Sequence, residues 1–388
     1  MATALRWLGV GTSTTSDAHA AGVAAATSAV TGEDPQLLLA FVCDDMDVEA
    51  VTAGIRTTNP DTPLLGCTTA GELADIGAGD MGVVVVALGG GGFAIETSLA
   101  RNASTSLHEA GADVARGGLA VADSPHRVLL LLTDGLAGDQ QEIVRGAYAT
   151  LGATTRLVGG CAGDGLRMQT TRQIYGDEVM TDAVVAAAIG SDAPIGIGVE
   201  HGWRPVGERL LVTHSEGNVV HRLDDRPALD VYLELLDAPE EARTDHVAFT
   251  KFAITHPLGL ERRTGVEVRF VGDADFDART LQCIAGVPQG ELAWVLEGDE
   301  ASVLDATDDA CDSARAQLDG REPLGLVAFD CIARRGVLGD PGLGAEIDRI
   351  HEQFPGIPLA GFYTYGEFAR VEGTRGFHNQ TLVVMAVA

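Results

Sequence analysis

One pattern occurs three times along the chain, and it limits the possible folds more than any other feature. Its first copy opens with the apolar run Leu37 to Val42, ending in Cys43-Asp44-Asp45. Val48, Val51 and Ile55 follow at helical spacing. Pro63-Leu64-Leu65 then leads into Gly66-Cys67-Thr68-Thr69-Ala70-Gly71-Glu72-Leu73, and an apolar run from Met81 to Leu88 closes the copy. The second copy runs from Val128 to Leu132 and Thr133-Asp134-Gly135, through a helical face of Ile143, Val144, Ala147, Tyr148 and Leu151. Asp139 and Glu142 are spaced as a capping box for that helix. Leu157-Val158 enters Gly159-Gly160-Cys161-Ala162-Gly163-Asp164, and Ala183 to Ile189 closes the copy. The third has Leu324 to Phe329 with Asp330, then Ile347, Ile350 and Phe354. Its loop is Pro358-Leu359-Ala360-Gly361-Phe362-Tyr363-Thr364-Tyr365-Gly366-Glu367-Phe368, and its last run is Thr381 to Val387. A strand, helix, strand, glycine loop and strand repeated in this order predict an α/β fold with mixed sheets built from duplicated units.

Other segments fit around this frame. Leu210 to His214 and Val219 to Leu223 flank Ser215-Glu216-Gly217-Asn218, a predicted hairpin. Asp224-Asp225-Arg226-Pro227 is expected to start a helix carrying Leu229, Tyr232, Leu233 and Leu236, with Asp225 as cap. A second amphipathic helix is expected from Ser302 to Leu318. Two domains follow, 1–225 and 226–388, because 388 residues exceed one comfortable core.

Each repeated loop carries an acid: Glu72, Asp164 or Glu367. Glycines such as Gly71 allow the backbone to turn tightly and let amides approach a ligand. Open α/β sheets bind ligands at the carboxyl ends of their strands. Loop amides with the hydroxyls of Thr68, Thr69 and Thr364 are therefore expected to grip a carboxylate, and the acids an ammonium group. Cys67, Cys161, Tyr363, Tyr365, His378 and Asn379 complete the expected ligand-binding set, in one shared pocket with aromatic walls. The structural reading of the same residues is that the glycines only turn the chain while the acids cap helices or pair with arginines.

Charge narrows the partners. The net charge is -30 and Lys251 is the only lysine. Such a surface repels phosphate backbones and anionic membranes, so neither nucleic acid nor membrane is an expected partner. Acid excess with scarce lysine fits a halophilic source and a GC-rich one equally. The six cysteines form no CxxC pair and no dense framework, so no metal is expected at them and the thiols are expected to be free. Met1-Ala2-Thr3-Ala4-Leu5-Arg6 has no signal-peptide character, and a cytoplasmic location is the expectation.

Several motifs together resemble the FIST (F-box and intracellular signal transduction) family. Gly66 to Glu72, Gly159 to Asp164 and His201-Gly202-Trp203 are similar to its N-terminal domain. His256-Pro257-Leu258-Gly259, Pro288-Gln289-Gly290, Gly361 to Glu367 and His378-Asn379-Gln380-Thr381 are similar to its C-terminal domain. The second loop departs from the pattern, with Gly165 where a further acid is expected. The resemblance implies a stand-alone sensory protein, not an enzyme, that binds a small ligand such as an amino acid and signals through a protein partner. It also admits a haem-binding nitric oxide sensor, although no cofactor is required by the sequence and the ligand stays unknown.

The rival chemistry is a cysteine enzyme, with Cys67 or Cys161 as nucleophile and His378, His256 or His201 as base. Nucleotide chemistry has weaker support. Gly9-Val10-Gly11-Thr12 is half a dinucleotide fingerprint, Gly89 to Gly92 fits a flexible turn, and no GxxxxGK occurs.

Overall fold

The computed structural model describes residues 5–80, 82–152, 155–262, 265–370 and 376–388. Those residues form three six-stranded mixed sheets and one larger antiparallel sheet.

The six-stranded sheets share one plan. The first runs Trp7–Ser13, Val83–Gly89, Pro35–Cys43, Leu64–Thr69, Gln173–Tyr175, Glu178–Met180 in spatial order. The second runs Phe93–Arg101, Ala183–Ser191, His126–Thr133, Arg156–Cys161, Glu367–Arg370, Phe377–His378. The third runs Ile195–Glu200, Leu382–Val387, Gly325–Cys331, Leu359–Thr364, Glu72–Ala74, Gly77–Gly79. The two middle strands of each sheet are parallel and the other pairings antiparallel. Registers agree across the repeats: Cys43 faces Thr69, Thr133 faces Cys161, and Cys331 faces Thr364. Each parallel pair needs a crossover, supplied by the helices Val48–Thr58 and Gln141–Leu151 and by Ile332–Gln353, which a kink at Gly339 (φ 60°) breaks into two helices.

The outer hairpins are exchanged in a ring. The first unit's hairpin, Glu72–Ala74 with Gly77–Gly79, completes the third sheet. The second unit's, Gln173–Tyr175 with Glu178–Met180, completes the first. The third unit's, Glu367–Arg370 with Phe377–His378, completes the second. Each glycine loop is therefore the point where the chain leaves its own sheet for a neighbour's.

Burial follows from the alternation of side chains along a strand. Leu37, Leu39 and Phe41 face a core shared by all three sheets, with Leu130, Val158, Phe329, Phe362 and Met385. Leu38, Ala40 and Val42 on the opposite face pack under the helices Ala18–Ala29 and Val48–Thr58. Covered on both faces, these strands read as continuous apolar runs. Phe41, Phe329 and Phe362 meet at the centre, with 4.8 Å between the rings of Phe41 and Phe362.

The larger sheet, 204–297 with its helices Ala228–Leu235 and His246–Ala253, lies between strand Ile195–Glu200 and helix Glu300–Arg315. Those two elements correspond to Trp7–Ser13 with Ala18–Ala29 and to Phe93–Arg101 with Leu107–Ala115. The larger sheet is thus an insertion in the third unit, with a core of its own around Tyr232, Phe249 and Leu281. The expected division near residue 225 falls inside this insertion. Near that division Asp225 does not cap a helix as expected: it sits in a turn with φ 61°, and helix Ala228–Leu235 starts after Pro227 without a side-chain cap. The capping box at Asp139 and Glu142 does not form either. Asp139 accepts from the Gln141 amide at 3.1 Å, while Glu142 pairs with Arg145. The expected strand starting at Met81 begins, within the described residues, at Val83.

Candidate functional site

The three glycine loops do come together, but as a solid knot. The Gly163 amide donates to Thr68 O at 3.0 Å, Ala70 N to Tyr363 O at 2.9 Å, and Tyr363 N to Gly71 O at 2.7 Å. Cys161 N donates to Gly366 O at 2.8 Å and Tyr365 N to Cys161 O at 3.2 Å. Backbone amides expected to hold a ligand carboxylate hold the neighbouring loop. Gly71, at φ 117°, lies close against the third loop: a Cβ there would come within 3.1 Å of the Tyr363 ring.

Two of the three loop acids are held in the same way. Glu72 is buried; Thr69 Oγ1 donates to its Oε1, and the Gly82 amide donates to Oε2 at 3.1 Å. Gly71 N in turn donates to Thr69 Oγ1 at 3.2 Å. Glu367 repeats the arrangement. Thr364 Oγ1 donates to its Oε1 at 2.5 Å, Thr381 N and Oγ1 donate to Oε2 at 3.1 and 2.8 Å, and Gly366 N donates to Thr364 Oγ1 at 3.1 Å. Burial pushes the Glu367 carboxyl up to about 7, against the pull of these hydrogen bonds. Both acids clamp the start of an exchanged hairpin to the start of the unit's closing strand.

Asp164 does something else. It accepts from the amides of Met168, Gln169 and Thr170 at 2.7–2.9 Å and from the Tyr365 hydroxyl. Burial pushes its carboxyl up, but these donors outweigh that and hold it below its ordinary value. It shapes an eight-residue excursion that delays the hairpin. The residue that occupies the Glu72 position in the second unit is Gln173. It faces Cys67 across the first sheet as Glu72 faces Phe362 across the third. Its Oε1 accepts from Ala183 N, at the head of the closing strand, at 3.3 Å. Sequence reading missed Gln173 because it lies nine residues beyond the acid that looked equivalent.

Thr68, Cys161 and His378 are also committed within the chain, whereas the buried Tyr363 hydroxyl and Asn379 Oδ1 have no hydrogen-bond partner among the described residues. Thr68 Oγ1 accepts from Arg172 N at 2.9 Å, Thr133 Oγ1 donates to Cys161 Sγ at 3.2 Å, and His378 Nε2 lies 2.9 Å from Ala369 O. Cys67, Tyr363 and Asn379 are buried, while Tyr365 and His378 are half-buried. The shared open pocket expected from these residues is not what the fold makes of them. Burial also pushes the Cys67 and Cys161 thiols well above their ordinary values, which disfavours the thiolate a nucleophile needs. The third unit adds a buried ion cluster, with Arg334 2.6 Å from both Asp330 and Glu346.

An accessible cleft lies elsewhere, where helix Gln141–Leu151 of the second unit meets the inserted sheet. Its volume is about 490 Å³. Arg145, Gln141 and Asp139 line one side; Glu267, Arg269, Ser215 and the turn Gly286-Val287-Pro288-Gln289 line the other. Arg269 is nearly buried and oriented by Gly286 O at 3.0 Å and Glu267 at 2.7 Å. Arg145 is exposed and reaches its ion-pair partner Glu142 from the helix surface. Burial lowers the pKa of His378, against the hydrogen bond to Ala369 O, and the charges of Glu267 and Arg269 act on it in opposite directions. A larger hollow of about 610 Å³ beside helix Leu107–Ala115 brings a single arginine, Arg101, which pairs with Glu178 much as Arg145 pairs with Glu142. Convergent charge favours the smaller cleft. Pro288 and Gln289 were legible as a motif, but nothing in the sequence placed them against Arg145.

Two family models match the chain, the FIST N domain over residues 36–226 and the FIST C domain over 228–370. An uncharacterized protein of Mycobacterium bovis is 26% identical over 384 residues, spanning 96% of this chain and 97% of the relative. An uncharacterized protein of Mycobacterium tuberculosis is 26% identical over 395 residues, with the same coverage. A shorter similarity, 32% over 115 residues, links 28% of this chain to 22% of an uncharacterized protein of Methanocaldococcus jannaschii. Among the described residues no helix is long and apolar enough to cross a membrane.

Proposed function

Since this chain belongs to the FIST family of sensory signal-transduction domains, we propose that it binds a small zwitterion, of the amino-acid class, in the cleft between helix Gln141–Leu151 and the inserted sheet. One observation carries this reading: side chains of both signs converge there from the two family domains, Arg145 with Asp139 and Arg269 with Glu267. The guanidinium groups suit a carboxylate, which they can hold through paired N–H donors. The acids suit an ammonium group. Occupancy would draw the inserted sheet against the second unit, a movement that a protein partner can detect. The setting is cytoplasmic, no catalysis is assigned, and the acidic surface argues against nucleic acid as the partner.

The experiment is a thermal-shift and calorimetric screen of amino acids against the full chain. Arg145→Gln is expected to weaken the ligand so found by about tenfold, equal to about 1.4 kcal/mol. Full affinity in that variant, or no ligand-dependent shift in the wild-type chain, would remove the cleft from consideration.

A further inference from the structure

The hairpin Arg204–Glu216 with Val219–Leu223 carries two histidines and an acid that none of the preceding chemistry uses. His214 and His221 come from opposite strands, their rings stacked 4.5 Å apart and inclined by 24°. The Glu216 carboxylate lies 3.6 Å from His214 Nε2. One ligand atom from each of the three residues lies within 4.8 Å of the others.

The backbone explains the juxtaposition. Ser215 pairs with Val220 and His214 with Arg222, so His221 is the extra residue of a β-bulge. The bulge brings His221 beside His214. The opposite side of the hairpin is anchored, with Val212, Val220 and Leu223 buried in the inserted sheet's core. The three side chains thus stand on a fixed support, and the site is open to solvent, with His214 half-exposed and Glu216 mostly exposed.

We propose that His214, His221 and Glu216 form a binding site for a divalent late transition-metal ion, with Zn²⁺ as the reference ligand. Two imidazoles and a carboxylate are a ligand set that zinc accepts, at about 2.0–2.2 Å from each donor; because an ion lies in the plane of each imidazole that binds it, the two rings must turn out of their stack to converge on it. Tetrahedral bonds of that length put neighbouring donors about 3.3 Å apart, close to the 3.6 Å already present between His214 and Glu216. The remaining coordination position would face water. Oxygen-preferring ions such as Mg²⁺ fit poorly, because two of the three donors are imidazoles. The strongly acidic surface raises the local concentration of divalent cations around the site. Ser215 and Gly217 line the cleft described above. An ion held by Glu216 between them would fix that wall of the cleft.

The test is calorimetric titration of Zn²⁺ into the full chain after removal of metals with a chelator, with melting curves to verify the fold of each variant. One equivalent is expected to bind with micromolar affinity. His214→Ala and His221→Ala are each expected to weaken binding at least tenfold, and Glu216→Gln by about threefold. Cys43, Asp44 and Asp45 form another close group, so Asp45→Asn serves as the control and is expected to leave the affinity unchanged. Co²⁺ bound at the hairpin should show no thiolate charge-transfer absorption. Absence of saturable Zn²⁺ binding, binding that survives both histidine substitutions, or loss only in Asp45→Asn would overturn the assignment. None of these results depends on whether the cleft binds a zwitterion.

Discussion

The Glu367 loop and the Asp164 loop look alike in sequence, each a glycine followed by an acid just after a strand. They have opposite physics. Glu367 is sealed in the core, serves as a clamp, and has a raised carboxyl pKa. Asp164 sits at the head of a longer excursion, where a ring of amides and the Tyr365 hydroxyl hold its pKa down. Similar loop sequences set the place where the chain leaves its sheet. What the acid does is set by how soon the exchanged hairpin begins.

The largest effect should come from emptying the clamp. Glu367→Ala leaves the hydroxyls of Thr364 and Thr381 and the Thr381 amide without their acceptor in the core. A loss of about 3 kcal/mol is expected in urea denaturation. A loss below about 1 kcal/mol would show that the clamp is not a structural necessity.

Opposite pH signatures are the next test. The folded pKa of Glu367, about 7, lies above its ordinary value of 4.5. The folded state therefore binds the extra proton between those values, and Glu367's stability contribution, complete below 4.5, is lost as pH rises through 7. One pKa unit corresponds to about 1.4 kcal/mol, so the slope is measurable. Asp164 acts in reverse: its contribution is present above its ordinary value of 3.8 and is lost as pH falls below it. Glu367→Gln should flatten the first slope, and Asp164→Asn the second. Unchanged slopes in both variants would erase the contrast.

Glu367→Gln should itself be mild, costing about 1 kcal/mol at neutral pH, because the second unit already places Gln173 at the corresponding position. The converse change, Gln173→Glu, should be tolerated best at low pH, where the buried acid is neutral. A greater stability of Gln173→Glu at high pH would contradict the assigned correspondence. The smallest effect is expected from Cys161→Thr, which gives the second loop the residue found at Thr69 and Thr364. With Thr133 beside it, the change should stay within about 1 kcal/mol in a thermal melt.

Much of the fold was legible in the sequence. The three apolar runs, the helical faces and the order of elements fixed an α/β architecture of repeated units, because side-chain alternation and helical spacing are local properties. The edge strand and first helix of each unit were not recognised as part of the repeat, since the third unit separates Ile195–Glu200 from Glu300–Arg315 by the entire inserted sheet. The candidate site was less legible. The loops were found and a cavity was expected of them, but not that their amides hold one another and that Glu72 and Glu367 are held by neighbouring threonines and strand-start amides.

The amino-acid order by itself determined which segments become strands and helices, that three units exist, and that glycine turns end their middle strands. Each of these depends on contacts a few residues apart. Only the tertiary structure decided that the hairpins change sheets, that Gln173 instead of Asp164 stands where Glu72 does, and that Arg145 faces Arg269 across a cleft. Those outcomes depend on pairing between residues a hundred or more positions apart, and local pattern carries no information about which partner a strand edge or a buried carboxylate will find.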